Sequence, residues 1–194
     1  MPSPPPVHKT DTPALPEFSY ELKIPKDRIA VMIGPKGSMK KELEEQTKTT
    51  IRVDSKEGDV QLIGKDSLAL FALREVIKAI GRGFNPEIAS LLLKQDYALE
   101  VVDITEFNRH KSHIQRLRGR VIGSDGKARV TLERLTETFI VVYGKTISII
   151  GTTERSLLAR RAVETLLEGS THASVYKWLE KQGKSLRKKE GFSF

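Results

Sequence analysis

Two short glycine motifs are the residues of this chain whose types and spacing could do chemistry. Gly34-Pro35-Lys36-Gly37 and Gly123-Ser124-Asp125-Gly126 each follow an isoleucine. Paired glycines permit a tight turn and leave no Cβ in the way of an approaching backbone. A helix that begins after such a turn directs its unpaired N–H groups and the positive end of its dipole outward. These features together suit the binding of a phosphate group.

The two motifs belong to an internal repeat, because the second lies 89 residues after the first. The same offset relates further pairs of residues: Leu43 and Leu132, Thr47 and Thr136, Thr49 and Thr138, Ile51 and Ile140, Val53 and Val142. Gly64 corresponds to Gly151, with two residues fewer between the motif and this glycine. The period is too long for a solenoid unit and fits a small domain. The sequence therefore predicts a tandem duplication.

Each copy shows the same predicted order of strand, helix, glycine turn, helix, strand, strand and helix. In the first copy the strands are expected at 18–24, 50–53 and 60–63, and the helices at 26–33, 38–46 and 67–80. In the second copy the strands are expected at 98–104, 139–143 and 146–150, and the helices at 112–122, 127–136 and 155–167. Further helices are predicted at 86–94 and at 172–182, the latter packing on the second copy.

Positive charge is concentrated in the second copy. The chain has 33 Lys and Arg against 25 Asp and Glu, a formal charge of +8. Residues 1–97 carry +1 of this charge and residues 98–194 carry +7. Eight basic residues lie between 109 and 134, where only Asp125 and Glu133 oppose them. Basic residues clustered around a glycine turn are typical of nucleic-acid binding.

Several classes of protein are excluded or disfavoured by composition. The chain has no cysteine, which excludes a disulfide scaffold, a zinc ribbon, an iron–sulfur cluster and a thiol enzyme. No apolar run is long enough for a membrane helix, and the N-terminus does not resemble a secretory signal. The four histidines are too scattered for a metal site, and neither a Walker motif nor a nucleophile elbow is present. We therefore expect a cytoplasmic, non-catalytic protein without metal or cofactor.

An Ile-Gly-x-x-Gly turn between two helices, followed by antiparallel strands, resembles the K-homology (KH) domain. The resemblance covers about residues 17–168. It implies an α+β fold with two type I, or eukaryotic-type, KH domains in tandem. Each domain would pack a three-stranded antiparallel sheet against three helices, and a C-terminal helix would follow. The implied organisation is a flexible proline-rich tail (1–16), a first KH domain (17–84), a linker helix (85–97), a second KH domain (98–168) and a C-terminal helix with a basic tail (169–194).

KH modules hold about four nucleotides of single strand, with the backbone across the glycine turn and the bases in an apolar groove. In the first copy the resemblance implies RNA contacts from Gly34, Pro35, Lys36, Gly37 and Lys40. In the second copy it implies contacts from Arg116, Arg118, Arg120, Ile122, Gly123, Ser124, Asp125, Gly126, Lys127, Arg129, Ile140 and Val142. We expect the second copy to capture most of the RNA, although Asp125 is unfavourable beside a phosphate.

A longer pattern narrows the resemblance. The run Arg118–Lys127, together with Ile147–Gly151 and Leu167–Ser170, is similar to the Dim-two, or Partner of Nob-one, family of ribosome-assembly proteins in its archaeal type. This implies binding to the 3′ end of small-subunit ribosomal RNA and a partnership with the endonuclease that matures that end. Two alternatives stay open: an assembly factor of the Krr-one type, and a KH-fold adaptor between proteins in ribosome biogenesis or translation.

Overall fold

The computed structural model describes residues 17–190, and their side chains up to residue 186. These residues form two units of the same topology. The first unit comprises β1 (Phe18–Lys23), α1 (Lys26–Ile33), a 3-10 turn (Pro35–Gly37), α2 (Ser38–Thr47), β2 (Thr50–Asp54), β3 (Asp59–Gly64) and α3 (Ser67–Gly81). The predicted tail at 1–16 lies outside the described residues, as do residues 191–194.

A short linker leads into the second unit through α4 (Pro86–Ala89) and a 3-10 turn (Ser90–Leu93). The second unit comprises β4 (Tyr97–Asp103), a 3-10 turn (Ile104–Glu106), α5 (Lys111–Ile122), a 3-10 turn (Ser124–Gly126), α6 (Lys127–Thr136), β5 (Phe139–Tyr143), β6 (Thr146–Thr152), α7 (Thr153–Leu167) and α8 (His172–Glu190). Within the described part of the chain, no helix has the length and apolar character to cross a membrane.

Two predicted helices differ from the structure. The expected linker helix at 86–94 is broken into α4 and a 3-10 turn, because the backbone becomes extended at Lys94 to enter β4. The expected helix at 172–182 continues to Glu190. As predicted, it packs on the second unit, where Val175 and Leu179 are buried in the core.

Each unit contains an antiparallel three-stranded sheet. Its central strand is the third strand of the unit along the sequence. The strand orders are β1-β3-β2 and β4-β6-β5. In the first sheet Val60 lies opposite both Leu22 and Val53, so that one face is apolar. The matching face of the second sheet includes Ile140, which pairs with Ile149. These faces pack on α3 and α7 and form the two hydrophobic cores.

The opposite faces of the two sheets differ in polarity. In the first sheet this face carries polar side chains such as Glu21, Arg52 and Gln61. In the second sheet it carries Leu99, Val141 and the fully buried Ile150, which belong to the hydrophobic cluster of the first unit. Phe84, Ala89 and Leu92 of the linker region are buried in that same cluster. The linker therefore covers the second sheet and docks the two units together.

Gly83 allows the close approach of the linker to β5. Its φ is +101°, in the region that favours glycine. A Cβ at this position would lie 2.9 Å from Val141 Cγ1 and 3.1 Å from Tyr143 Cβ. Nearby, the Tyr143 hydroxyl donates a hydrogen bond of 2.6 Å to Asp27 Oδ2 at the start of α1. This bond to a carboxylate raises the pKa of Tyr143, since it favours the protonated phenol.

An arginine in each unit caps the C-terminal end of the helix that packs on the sheet, which is α3 in the first unit and α7 in the second. In the first unit Arg28 Nε donates to the carbonyl of Ile80, and its Nη2 donates to that of Phe84. In the second unit Arg120 Nε donates to the carbonyl of Leu166 at 3.0 Å, and its Nη2 donates to that of Ser170 at 2.6 Å. These carbonyls lie where a helix leaves its last acceptors without partners. Both arginines thus stabilise the fold.

Replacing Gly83 with Ala should destabilise the docked arrangement by about 1–3 kcal/mol, because the new Cβ meets β5 and the backbone is strained at positive φ. Gly119→Ala is the matched control, since nothing lies within 4 Å of a Cβ added at Gly119 in α5. We expect the control to be neutral or slightly stabilising. Chemical denaturation followed by circular dichroism measures both variants, and equal stability would contradict the role assigned to Gly83.

Replacing Arg120 with Ala should lower the free energy of unfolding by about 1–3 kcal/mol, because two partly buried carbonyls lose their donor. Arg116, exposed on the same helix, provides the control. Arg116→Ala should change stability by less than about 0.5 kcal/mol. Thermal and urea unfolding of the two variants test the difference. If Arg120→Ala unfolds with the same free energy as the unmodified protein, the guanidinium does not stabilise the C-terminal end of α7.

Candidate nucleic-acid interface

The two glycine turns have the same backbone conformation. Gly34 has φ 73° and ψ 174°, and Gly123 has φ 73° and ψ 177°. The third residue of each turn, Lys36 or Asp125, has φ 52°, and the final glycines are left-handed with φ 78° and 75°. The duplication therefore preserves the shape of the turn while its side chains differ.

The two glycines of each turn serve different purposes. A Cβ on Gly34 would lie 2.8 Å from Met39 Cβ, and one on Gly123 would lie 2.6 Å from Ala128 Cβ. The first glycine thus lets the turn pack against the next helix. Around the second glycine, Gly37 or Gly126, nothing lies within 4 Å of an added Cβ. This open surface, at the uncapped start of α2 or α6, can accept a phosphate.

The apolar positions beside the turns lie at different depths. Ile122 and Val142, two of the predicted RNA contacts, are half-buried and present part of their surface. Ile140 is only 1 % exposed and belongs to the core of the second unit. The prediction that Ile140 contacts RNA is therefore corrected: it supports the groove from beneath. In the first unit Leu43 and Ile51 are likewise fully buried, whereas Val53 is half-buried.

A glutamate for which the sequence predicted no structural role lies beside an edge strand in each unit. Glu133 Oε1 accepts the backbone N–H of Ile140 at 2.8 Å, and Glu44 Oε1 accepts that of Ile51 at 2.7 Å. Both residues occupy the same place in the repeat, with the offset that relates the glycine turns. An acid repeated at this offset was the signal that could have identified them. Each carboxylate anchors an edge strand to the helix that follows the turn.

The same glutamates engage the cations predicted for the groove. Arg129 Nη1 lies 3.1 Å and 3.2 Å from the two carboxylate oxygens of Glu133, and 3.4 Å from the carbonyl of Ile140. Lys40 Nζ lies 3.6 Å from Glu44 Oε1. The charge of each cation is thus largely offset within the groove. Arg129 is held in place as part of the groove wall.

Around the second turn, helix geometry separates the predicted arginines. Arg118 lies one turn before Ile122 and therefore on the same side of α5. Its Nε is buried and has no hydrogen-bond partner among the described residues. Arg120 lies about 200° around the helix from Arg118. Its Nε and Nη2 donate to carbonyls at the end of α7, which gives Arg120 a structural role, while its contact with phosphate stays a prediction. Arg116 is exposed and lies one turn before Arg120, on the opposite side of α5 from Arg118.

Lys127 occupies the first position of α6, directly after the turn. Its side chain is 80 % exposed, and Nζ lies 4.0 Å from Asp125 Oδ2. Asp125 is itself 87 % exposed, so water screens the attraction between the two groups. Ser124 is exposed at the tip of the turn. The exposed Ser124 and Lys127 thus lie on either side of the open surface at Gly126.

The first unit lacks most of these cations at the equivalent places. The repeat offset relates Arg116 to Asp27, Arg118 to Ile29 and Lys127 to Ser38. Ile29 is buried in the core, with 3 % exposed. The exposed Lys36 is the cation of the first turn, beside the exposed Pro35. The two turns therefore share a backbone but present different charge. Among the described residues, no group of three or more metal-ligating side chains stands together.

Family models match both halves of the chain. Residues 98–184 match the model of a eukaryotic type KH domain (KH-domain type I), and residues 19–79 match that of the KH domain. The match over residues 98–184 extends into α8. The expected fold of two type I KH domains, each with a three-stranded antiparallel sheet and packed helices, is confirmed.

Among curated proteins, the chain is 44 % identical over 171 residues to a KH domain-containing protein of Methanocaldococcus jannaschii, covering 86 % of this chain and 75 % of the relative. It is 35 % identical over 114 residues to the RNA-binding protein PNO1 of Oryzias latipes, covering 58 % of this chain and 47 % of the relative. The chain spans 59 % of the pre-rRNA-processing protein pno1 of Aspergillus oryzae, with 30 % identity. It thus spans about half the length of these two eukaryotic relatives.

Solved structures show the same similarity. Dim2p from Pyrococcus horikoshii has a TM-score of 0.79 and 43 % identity, and the match covers 84 % of this chain and 99 % of that chain. The structure of its complex with a/eIF2alpha and rRNA has a TM-score of 0.82 and 42 % identity, covering 87 % and 96 %. A protein from Aeropyrum pernix has a TM-score of 0.85 and 36 % identity, covering 90 % and 95 %. The chain therefore belongs to the Dim-two (PNO1) family of tandem KH-domain proteins, in its archaeal type.

Proposed function

We propose that this protein is a small-ribosomal-subunit assembly factor that binds single-stranded RNA through its second KH domain. The RNA is the 3′ end of the small-subunit ribosomal RNA, and the protein positions it for the endonuclease that matures this end. The protein itself is non-catalytic and acts in the cytoplasm. Family membership favours this function over that of a Krr-one-type factor.

The observation that carries the proposal is the surface of the second glycine turn. Gly126 leaves open space over the uncapped start of α6, and the exposed Lys127 adds a cation there. Arg118 and Ile122 lie on the groove side of the preceding helix. A phosphate on the turn and bases over the half-buried Ile122 and Val142 match the way KH modules hold a single strand.

The relatives support an RNA from the ribosome as the ligand. Two curated relatives are named for RNA binding and for pre-rRNA processing, and the Pyrococcus horikoshii complex contains rRNA. The choice of the 3′ end, and of the endonuclease as partner, rests on the resemblance to the Dim-two family.

A role in protein binding is a second candidate for the first KH domain. Leu68 is 79 % exposed and Phe71 is 49 % exposed on one side of α3. They border a cleft of about 720 Å³ with Leu93 and Tyr97 of the linker and β4. Exposed apolar residues around a cleft mark protein interaction sites. The first domain could thus hold a protein while the second holds RNA.

A single-stranded RNA should bind more tightly than a duplex of the same length. The groove admits only bases that are splayed out, and an A-form helix presents its base edges poorly. Competition against a fluorescently labelled single-stranded pool measures the preference. If a blunt-ended duplex competes as well as the single strand, RNA does not occupy the groove in the way proposed.

Replacing Ser124 with Asp should weaken RNA binding by about tenfold or more, because a second carboxylate beside Asp125 removes a charge-assisted phosphate contact. Pro35→Asp is the matched control, since Pro35 occupies the equivalent position of a turn with the same backbone. We expect a smaller loss from the control, because Arg118 and Lys127 have no basic counterparts in the first domain.

Fluorescence anisotropy gives the two affinities, and thermal unfolding shows that both variants remain folded. Both substituted residues are exposed, so neither change disturbs a core. A larger loss of affinity in folded Pro35→Asp than in Ser124→Asp would move the main RNA site to the first domain.

A further inference from the structure

The start of α8 contacts the helix that leads into the second glycine turn. His172 is the first residue of α8, and its Nε2 lies 2.8 Å from the carbonyl oxygen of Arg120 in α5. A carbonyl oxygen only accepts hydrogen bonds, so Nε2 carries a hydrogen and donates it. Arg120 lies shortly before Gly123, the first glycine of the turn. A side chain from a distant part of the sequence therefore holds the end of α5.

The carbonyl of Arg120 needs this donor because α5 ends directly afterwards. The helix ends at Ile122, and Gly123 departs from it with φ 73° and ψ 177°. The N–H of Gly123 still donates to the carbonyl of Gly119, at 2.8 Å. Within residues 17–190, no backbone N–H from beyond the helix donates to the carbonyl of Arg120. The last carbonyls of a helix lack partners within it, and the imidazole of His172 supplies one here.

His172 is itself fixed by the way α8 begins and packs. Thr171 Oγ1 accepts the backbone N–H of Ser174 at 3.3 Å, which caps the start of the helix. One and two turns further along, Val175 and Leu179 are buried in the core of the second domain. The cap and the core contacts together place the imidazole against α5.

Arg120 is bonded through both its side chain and its backbone. Its guanidinium donates to the carbonyls of Leu166 and Ser170 at the end of α7. Its own carbonyl accepts from His172 at the start of α8. Only Thr171 separates Ser170 from His172, so these contacts join the ends of α5, α7 and α8 at one point. That point lies where the chain enters the glycine turn.

The first domain is built differently at the equivalent place. The repeat offset relates Arg120 to Val31, near the end of α1. In this domain α3 is followed by the linker, whose apolar residues pack in the cluster that covers the second sheet. No helix in the described part of the chain follows α3 in the way that α8 follows α7. The two turns thus share a backbone conformation, but only the second is supported by an additional helix.

We propose that His172 is a positioning residue for the RNA site at the second glycine turn. This inference rests on the proposed function and adds α8 to the parts of the second domain that serve it. The imidazole holds the end of α5, and with it Gly123, in the conformation that leaves the turn open to a phosphate. A strand that binds a turn already held in this way spends less free energy on ordering the protein.

The first test replaces the imidazole with two amides in the intact chain. The Gln amide N–H lies at about the same reach as Nε2–H of histidine, whereas the Asn amide is one carbon shorter and does not reach the carbonyl of Arg120. We expect His172→Asn to bind a random-sequence single-stranded RNA pool about three- to tenfold more weakly than the unmodified protein. His172→Gln should retain the affinity to within about twofold. Fluorescence anisotropy measures both, and thermal unfolding shows that both remain folded.

His113 provides the matched control, because it is an exposed histidine near the other end of α5. Its Nδ1 lies 2.9 Å from the side-chain nitrogen of Asn108, and this contact is exposed. His113→Asn makes the same chemical change in the same domain at a distance from the turn. We expect this variant to keep the affinity of the unmodified protein to within about twofold.

A second measurement is made without RNA. The N–H groups of Gly123 and Gly34 close the helices before the two turns, with bonds of 2.8 Å and 3.0 Å, and their hydrogen exchange reports local opening. In His172→Asn we expect the exchange of Gly123 to accelerate about fivefold or more, while Gly34 stays unchanged. The core residue Ile149 should also stay unchanged, and His172→Gln should exchange as the unmodified protein does. Amide exchange followed by NMR gives these rates.

The contrary results differ in what they overturn. If the unmodified protein binds no single-stranded RNA, the proposed function is wrong, whatever the exchange rates are. If RNA binds and His172→Asn equals His113→Asn in affinity, the groove function stands and His172 does not position the site. Equal losses in His172→Asn and His172→Gln would show that the donated hydrogen bond is not the cause. Equal acceleration of exchange at Ile149 and Gly123 would assign His172 to the stability of the whole domain.

Discussion

Burial of the apolar outer face of the second sheet is the interaction on which the arrangement of the whole molecule depends. A β-sheet with two apolar faces must cover both, and here α7 covers one while the linker of the first domain covers the other. Ile150, in the central strand, is fully buried in the cluster of the first domain. The first sheet has a polar outer face and needs no such cover. The two copies therefore differ: only the sheet of the second domain needs residues from outside its own domain to cover its outer face.

This docking also brings particular elements of the two domains into contact. Gly83 brings the linker against Val141, and the Tyr143–Asp27 hydrogen bond brings the turn after β5 to the start of α1.

The sequence was sufficient for those features that depend on local pattern. The repeated glycines, the alternation of apolar residues in strands and the apolar spacing in helices correctly predicted both domains and nearly all element boundaries. The prediction of one continuous linker helix was wrong, because the end of that helix depends on where β4 must begin. Side-chain roles were harder to predict. Arg120 and Arg118 look alike in the sequence, yet only the helix orientation shows that the former reaches the carbonyl of Leu166. The depth of Ile140 and the partner of Arg129 likewise depend on tertiary packing.

The carboxylates of Glu44 and Glu133 have a consequence beyond the groove. β2 and β5 are edge strands, as are β1 and β4, because each sheet places its central strand between two others. An edge strand exposes backbone N–H groups that can recruit a strand from another molecule and begin aggregation. Each glutamate occupies the N–H of Ile51 or Ile140, where such a pairing would start. The two glutamates thereby lower the capacity of β2 and β5 to pair with a strand of another copy of the chain.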